Sequence, residues 1–172
     1  LPKKQWLDIK RYVCIRNKSL IKKKLMSKVW VFFYGTFMSA KVLRKHGLSC
    51  DKTYPAKVSG YALVIQPRVN LVKNVESNSH GGLALVDHIE LTNLYKNVRE
   101  TFGQTYWPYP VLAETLDGLF RQALCFVSKP FILGDPDSSC IDELKECARE
   151  MHAPESYVLH IESYRKTDNN GT

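Results

Sequence analysis

The chain has no long hydrophobic run. The longest, Val29 to Tyr34, is six residues, whereas a membrane helix needs about 20. It has no CxxC pair, no GxGxxG and no phosphate-binding GxxxxGK[ST] loop, so dinucleotide and nucleoside-triphosphate chemistry gain no support. No segment repeats and none is of low complexity, which sets solenoids and arrays aside. The five cysteines, Cys14, Cys50, Cys125, Cys140 and Cys147, are odd in number. Such a set suits a reducing, cytoplasmic compartment better than a secreted disulfide scaffold. No His or Cys partners stand at metal-ligand spacing around them, so no metal is expected and the cysteines read as small apolar fillers.

The chain does have the makings of one globular domain. Of 172 residues, 44% are hydrophobic and 24% charged, close to the globular average. The net charge of +8 is unevenly placed. Residues 1–28 hold ten Lys or Arg against the single acid Asp8, a charge of +9, which leaves the other 144 residues at −1. Residues 1–28 therefore read as a basic extension, 29–166 as the folded domain and 167–172 as a tail. The extension lacks the apolar core of a secretory signal. A polybasic segment of this kind either meets anionic lipid or a nucleic-acid backbone, or is simply a solvated arm.

Periodicity and turn residues predict the elements in order. Val29–Tyr34 is β-branched and aromatic throughout, a strand buried on both faces. Residues 39–46 follow as a short helix between a possible Ser39 cap and a Gly47 stop. Ala56–Ile65 reads as a strand ended by Pro67, Lys73–His80 as a polar surface loop, and Gly81–Val86 as another buried strand. Leu91, Leu94 and Val98 suggest a helix beginning near Glu90. Gly103–Pro110 is rich in turn residues. Val111–Glu114 and Arg121–Val127 form a hairpin around Asp117-Gly118, and 130–136 is a linker. A helix runs from Ser138 or Ser139 through Met151, and Pro154 opens a last one carrying Tyr157, Ile161 and Tyr164. Strand and helix do not alternate regularly, so the class is α+β around a small mixed sheet or barrel.

The most informative segment is Val31-Phe32-Phe33-Tyr34-Gly35-Thr36-Phe37-Met38. A buried strand that ends in Tyr-Gly-Thr can turn sharply, since Gly tolerates positive φ and puts no side chain in a ligand's way. Amides at such a turn can converge on an anion, or the segment is an ordinary strand-to-helix corner.

This segment resembles the hydrophobic-hydrophobic-Tyr-Gly-Ser/Thr-Leu/Phe-Met motif of the gamma-glutamylcyclotransferase-like family, most closely its plant avirulence-induced-gene branch. Gly60-Tyr61, Gly82-Leu83-Ala84-Leu85, Glu90-Leu91-x-x-Leu94, the Asp117-Gly118 hairpin and Pro154-x-x-Tyr157 match as well, so the resemblance spans residues 29–165. It implies a small mixed β-barrel with flanking helices and a transferase of acyl- or cyclotransferase type that needs no cofactor. The α-amine of a gamma-glutamyl compound attacks its own γ-carbonyl and gives 5-oxoproline. By the same resemblance Val31, Phe32, Phe33, Tyr34, Gly35 and Thr36 hold the small gamma-glutamyl ligand. The family places a proton-accepting Glu in Leu-Asp-x-x-Glu, and such a base contributes about 10²–10⁴-fold. Here the run is Leu94-Tyr95-Lys96-Asn97-Val98, and Val98 cannot accept a proton. Glu100 is the nearest carboxylate and so the candidate base, although two residues turn a helical side chain by about 200°. The alternative is a catalytically impaired member that binds a small ligand or a protein. Arg68-Val69-Asn70 and the aromatic run Tyr106–Pro110 also depart from the pattern; the latter either lines the pocket mouth or packs locally.

Overall fold

The computed structural model describes residues 28–129, 136 and 138–165. The basic extension expected at 1–28, Lys28 apart, and the tail expected at 167–172 lie outside the described residues, as does most of the 130–136 linker. Five strands close into a barrel: β1 (Lys28–Phe33), β2 (Tyr54–Ile65), β3 (Val69–Asp87), β4 (Tyr106–Thr115) and β5 (Phe120–Ser128), in the order β1-β3-β2-β4-β5. All neighbours are antiparallel except β1 and β5, which run parallel at the closing seam. The mixed α+β barrel expected from the sequence is therefore the architecture observed. Val31, Phe32 and Phe33 are 0–2% exposed. An unbroken apolar run suits β1 because it has core on both faces.

The β2–β3 hairpin corrects one expectation. Residues 73–80 are not a surface loop but the middle of β3, paired with β2 from Tyr61↔Lys73 to Lys57↔His80. Their polarity comes from a bulge. Gly60, at φ +84°, stands alone opposite residues 74–77 of β3, three more than an even register holds, and 74–76 are exposed to solvent. Strand pairing outweighs weak local propensity there. A second correction concerns residues 103–110. Only 103–105 turn, with Gly103 at φ +67° ending the preceding helix; Tyr106–Pro110 is already β4. Pro108 and Pro110 share a parity, and β2 pairs only with residues 113–115 of β4. Both missing N–H groups therefore fall on an edge with no strand beside it, where proline is tolerated.

Helices cover the barrel: α1 (Ala40–Lys45), α2 (His88–Phe102), α3 (Ser138–Glu150) and α4 (Glu155–Glu162). Ser39 occupies the N-cap of α1 but makes no capping bond through its side chain, while Gly47, at φ +87°, closes the helix as expected. α2 starts two residues before the expected Glu90. The Asp87 carboxylate accepts from the N–H of Ile89 at 2.8 Å and of Glu90 at 3.4 Å, so the cap sets the start. α3 and α4 are clamped by Lys145–Glu162 at 2.6 Å and by Arg165 against Glu162 and Asp142. Cys50, Cys125 and Cys147 are buried as apolar fillers. No described helix is long and apolar enough to cross a membrane.

Candidate functional site

β1 leads directly into the site. After Tyr34 the backbone turns at Gly35 into a single 3₁₀ turn, Thr36–Met38, closed by Met38 N–H to Gly35 O at 2.9 Å. Gly35 itself is extended, with φ −96°, and a Cβ there would meet the Val69 Cβ at an ordinary 3.9 Å. The positive φ expected at Gly35 is thus not used. The glycines that the corner requires lie beneath it on β3. A Cβ on Gly81 would run into the Phe33 carbonyl, and one on Gly82 would lie 2.5 Å from the Met38 carbonyl. β3 passes so close under the corner that only bare backbone fits.

Behind the corner lies a cavity of about 320 Å³, at the small end of ligand sites. Phe33, Tyr34, Gly35, Thr36 and Phe37 line it along the corner; α2 supplies Tyr95, Val98 and Phe102; Arg68 comes from the turn between β2 and β3, and Val69 and Tyr106 from the strands; Ser139, Cys140 and Glu143 come from α3, and His46 follows α1. α3 packs through its buried Ile141, Leu144, Cys147 and Ala148, and the Cys147 thiol, one turn beyond Glu143, donates to the Thr36 carbonyl at 3.7 Å.

Three phenols define the interior. The Tyr34 hydroxyl donates to the Phe126 carbonyl at 2.6 Å and the Tyr106 hydroxyl to the Val69 carbonyl at 3.1 Å. Tyr95 stacks on Phe126 with ring centroids 3.8 Å apart. Burial pushes Tyr34 and Tyr95 well above the ordinary phenol range, and it pushes Tyr106 to about 12 despite the opposing Arg68 guanidinium. At neutral pH all three are protonated, so none supplies a phenolate base. The Arg68 guanidinium lies 4.0 Å from the centre of the Phe102 ring.

The residues singled out in the sequence divide. Phe33, Tyr34, Gly35 and Thr36 line the cavity, while Val31 and Phe32 are core residues of β1 that do not reach it. Val98, which the resemblance aligns with the family's Glu, lines the cavity. Glu100 does not. It is 61% exposed on α2 and pairs with Lys96 at 3.8 Å. Of the aromatic run only Tyr106 lines the cavity, with Trp107 and Tyr109 on the outside of β4. His80, within β3, rests its ring edge on Tyr157 instead. Among the described residues no group of three or more His, Cys, Asp or Glu could hold a metal ion. Sequence reasoning missed Glu143, the one carboxylate on the lining among the described residues. Helical phase puts it near the face carrying Cys147, and only the docking of α3 shows where that face points.

No protein-family model matches this sequence, and no curated protein matches it at the sequence level. Solved structures do match its fold. A gamma-glutamyl cyclotransferase superposes with a TM-score of 0.67 over 84% of this chain and 92% of its own, at 12% identity. The fold is that of gamma-glutamyl cyclotransferase. YkqA from Bacillus subtilis is similar at a TM-score of 0.65 and 19% identity, over 86% of this chain and 57% of its own. A yeast gamma-glutamyl cyclotransferase specific to glutathione is similar at 0.53 and 14% identity, over 84% of this chain and all (100%) of its own. The cyclotransferase fold places the strand-end corner and its hollow together in this chain, so the resemblance read from Val31–Met38 holds at the level of architecture.

Proposed function

We propose that this protein is a gamma-glutamyl cyclotransferase-type acyl-transfer protein, with a small gamma-glutamyl compound bound against Tyr34, Gly35 and Thr36. The observation that supports this reading is the hollow immediately behind that corner, walled by α2 at the position of Val98. In the reaction the neutral α-amine of the ligand attacks its own γ-carbonyl. A new C–N bond closes the five-membered ring, the original amide C–N bond breaks, and the amine leaves with the proton lost from the attacking nitrogen. The products are 5-oxoproline and the free amine. The Tyr34 and Tyr106 hydroxyls already donate to backbone carbonyls, so of the three protonated phenols Tyr95 is the one suited to donate to a ligand oxygen. The test is incubation of the full chain with a panel of gamma-glutamyl amino acids and amines, with 5-oxoproline measured by mass spectrometry.

A second reading, ligand binding without turnover, is favoured by Val98 at the cavity wall and Glu100 outside it. Val98→Glu separates the two. Turnover by the native chain supports catalysis. Binding without turnover, with 5-oxoproline formation appearing only in V98E, supports the binding protein. An isosteric V98Q control isolates the carboxylate, whose expected contribution is about 10²-fold or more.

A further inference from the structure

Arg68 and Glu143 approach the same cavity from two sides, Arg68 at the tip of the β2–β3 hairpin and Glu143 on the second turn of α3. Among the described residues neither makes an ion pair, and they do not pair with each other. Their neighbours are committed elsewhere: Asp142 to Arg165 and Lys145, and Glu146 to Arg149. The guanidinium lies over the Phe102 ring, and the adjoining Val69 lines the same cavity as Gly35. Two opposite charges that face one cavity without meeting leave a gap that a molecule bearing both charges can bridge. Among the described residues the rest of the lining is largely rings and an aliphatic side chain, Phe33, Phe37, Tyr95, Tyr106 and Val98, with Thr36, His46, Ser139 and Cys140 as its polar members. With Glu143 occupied by an ammonium, a cationic substituent would find no second carboxylate among the described lining residues and no phenolate to receive it.

We propose that Arg68 and Glu143 form a receptor for a zwitterionic amino-acid head, Arg68 taking the α-carboxylate and Glu143 the α-ammonium, and that the cavity selects gamma-glutamyl compounds whose γ-substituent is aromatic or apolar. This rests on the gamma-glutamyl reading of the cavity and adds the substrate class to it. The guanidinium gives a carboxylate a two-pronged contact that an ammonium cannot. Glu143 recognises the amine in its charged resting form, so its place is in binding.

Calorimetry on the full chain tests this, with gamma-glutamyl-phenylalanine, gamma-glutamyl-lysine, the N-acetyl derivative of the first and its α-carboxamide. The phenylalanine compound binds best, and each of the other three is weaker by about tenfold or more. Glu143→Gln weakens gamma-glutamyl-phenylalanine by about tenfold but leaves the N-acetyl derivative unchanged. Arg68→Gln does the same with the α-carboxamide as the insensitive ligand. Both side chains are exposed, and matching thermal midpoints confirm that the variants are folded. If gamma-glutamyl-phenylalanine binds native and variant chains equally, or the lysine compound binds as well as the phenylalanine one, the receptor is wrong while the cavity reading stands. If no gamma-glutamyl compound binds the native chain, both fall.

Discussion

At the residue scale, the corner depends on two side chains that are absent and one that imitates backbone. Gly82→Ala drives a Cβ to 2.5 Å from the Met38 carbonyl. Backbone cannot yield as a flexible side chain can, and overpacking of this kind costs about 1–3 kcal/mol. Denaturant unfolding should show that loss for G82A and much less for G35A, whose added methyl meets Val69 at van der Waals distance. Asn70, 2% exposed, presents its side-chain amide to β5. Its Nδ2 donates to the Ser128 carbonyl and its Oδ1 accepts from the Ser128 N–H, each at 3.0 Å. Asn70→Ala orphans both Ser128 groups, at about 1–3 kcal/mol for each one left buried without a partner. Asn70→Asp keeps the acceptor but loses the donor, so its unfolding midpoint should fall as well; a midpoint equal to the native one in N70A would show that water replaces the amide.

At the element scale, the entry to α2 is decided by one carboxylate. Asp87→Ala removes the acceptor for two amides of the first turn, which should cost about 1 kcal/mol and fray the turn that precedes Leu91. Amide exchange at Ile89 and Glu90 reads this directly; unchanged protection there would mean that the cap is redundant. The elements also show where sequence is informative. β1, the end of β2 and the end of β3 are legible because apolar and β-branched runs coincide with burial. Lys73–His80 is not, because its pairing comes from β2 and its polarity from the bulge opposite Gly60. Tyr106–Pro110 is hidden for another reason: prolines signal turns unless a free edge is available, and that edge exists only after β4 has met β2 at residues 113–115. The candidate site divides in the same way. Tyr34, Gly35 and Thr36 sit on one short segment and can be found by motif, and Val98 by its register within α2. Glu143 comes to the cavity through the long-range docking of α3, seen in the contact between Cys147 and Thr36, which leaves no trace in local sequence.

At the scale of the whole molecule, stability should fall with acid in two separate windows. Burial, with a smaller effect from Lys57, holds His80 below its ordinary 6.5. It is therefore neutral in the fold and takes up a proton more readily when unfolded. Its contribution is complete above about 6.5 and is lost as pH drops through the depressed value. Glu162, held at about 2 by Arg165 and Lys145, contributes above the ordinary carboxylate range and loses that contribution as pH approaches 2. Thermal midpoints for His80→Gln should be flatter than native just below pH 6.5, with the lower window untouched; Glu162→Gln should do the reverse, and salt should blunt its effect because the carboxylate is solvent-exposed.

The barrel's parallel seam between β1 and β5 is short, registering only Val31↔Leu124 and Phe32↔Cys125. Beyond those pairs it is riveted by the Tyr34 hydroxyl on the Phe126 carbonyl, and Tyr34 also forms part of the cavity lining. Occupancy and closure are consequently linked: a guest that braces the Tyr34 ring stabilises the junction, and loosening the junction lowers affinity by the same factor. Saturation with gamma-glutamyl-phenylalanine should slow deuterium uptake at residues 124–128 more than anywhere on the distant β2–β3 bulge. The opening most readily sampled by this molecule would then be an unzipping beside its own guest.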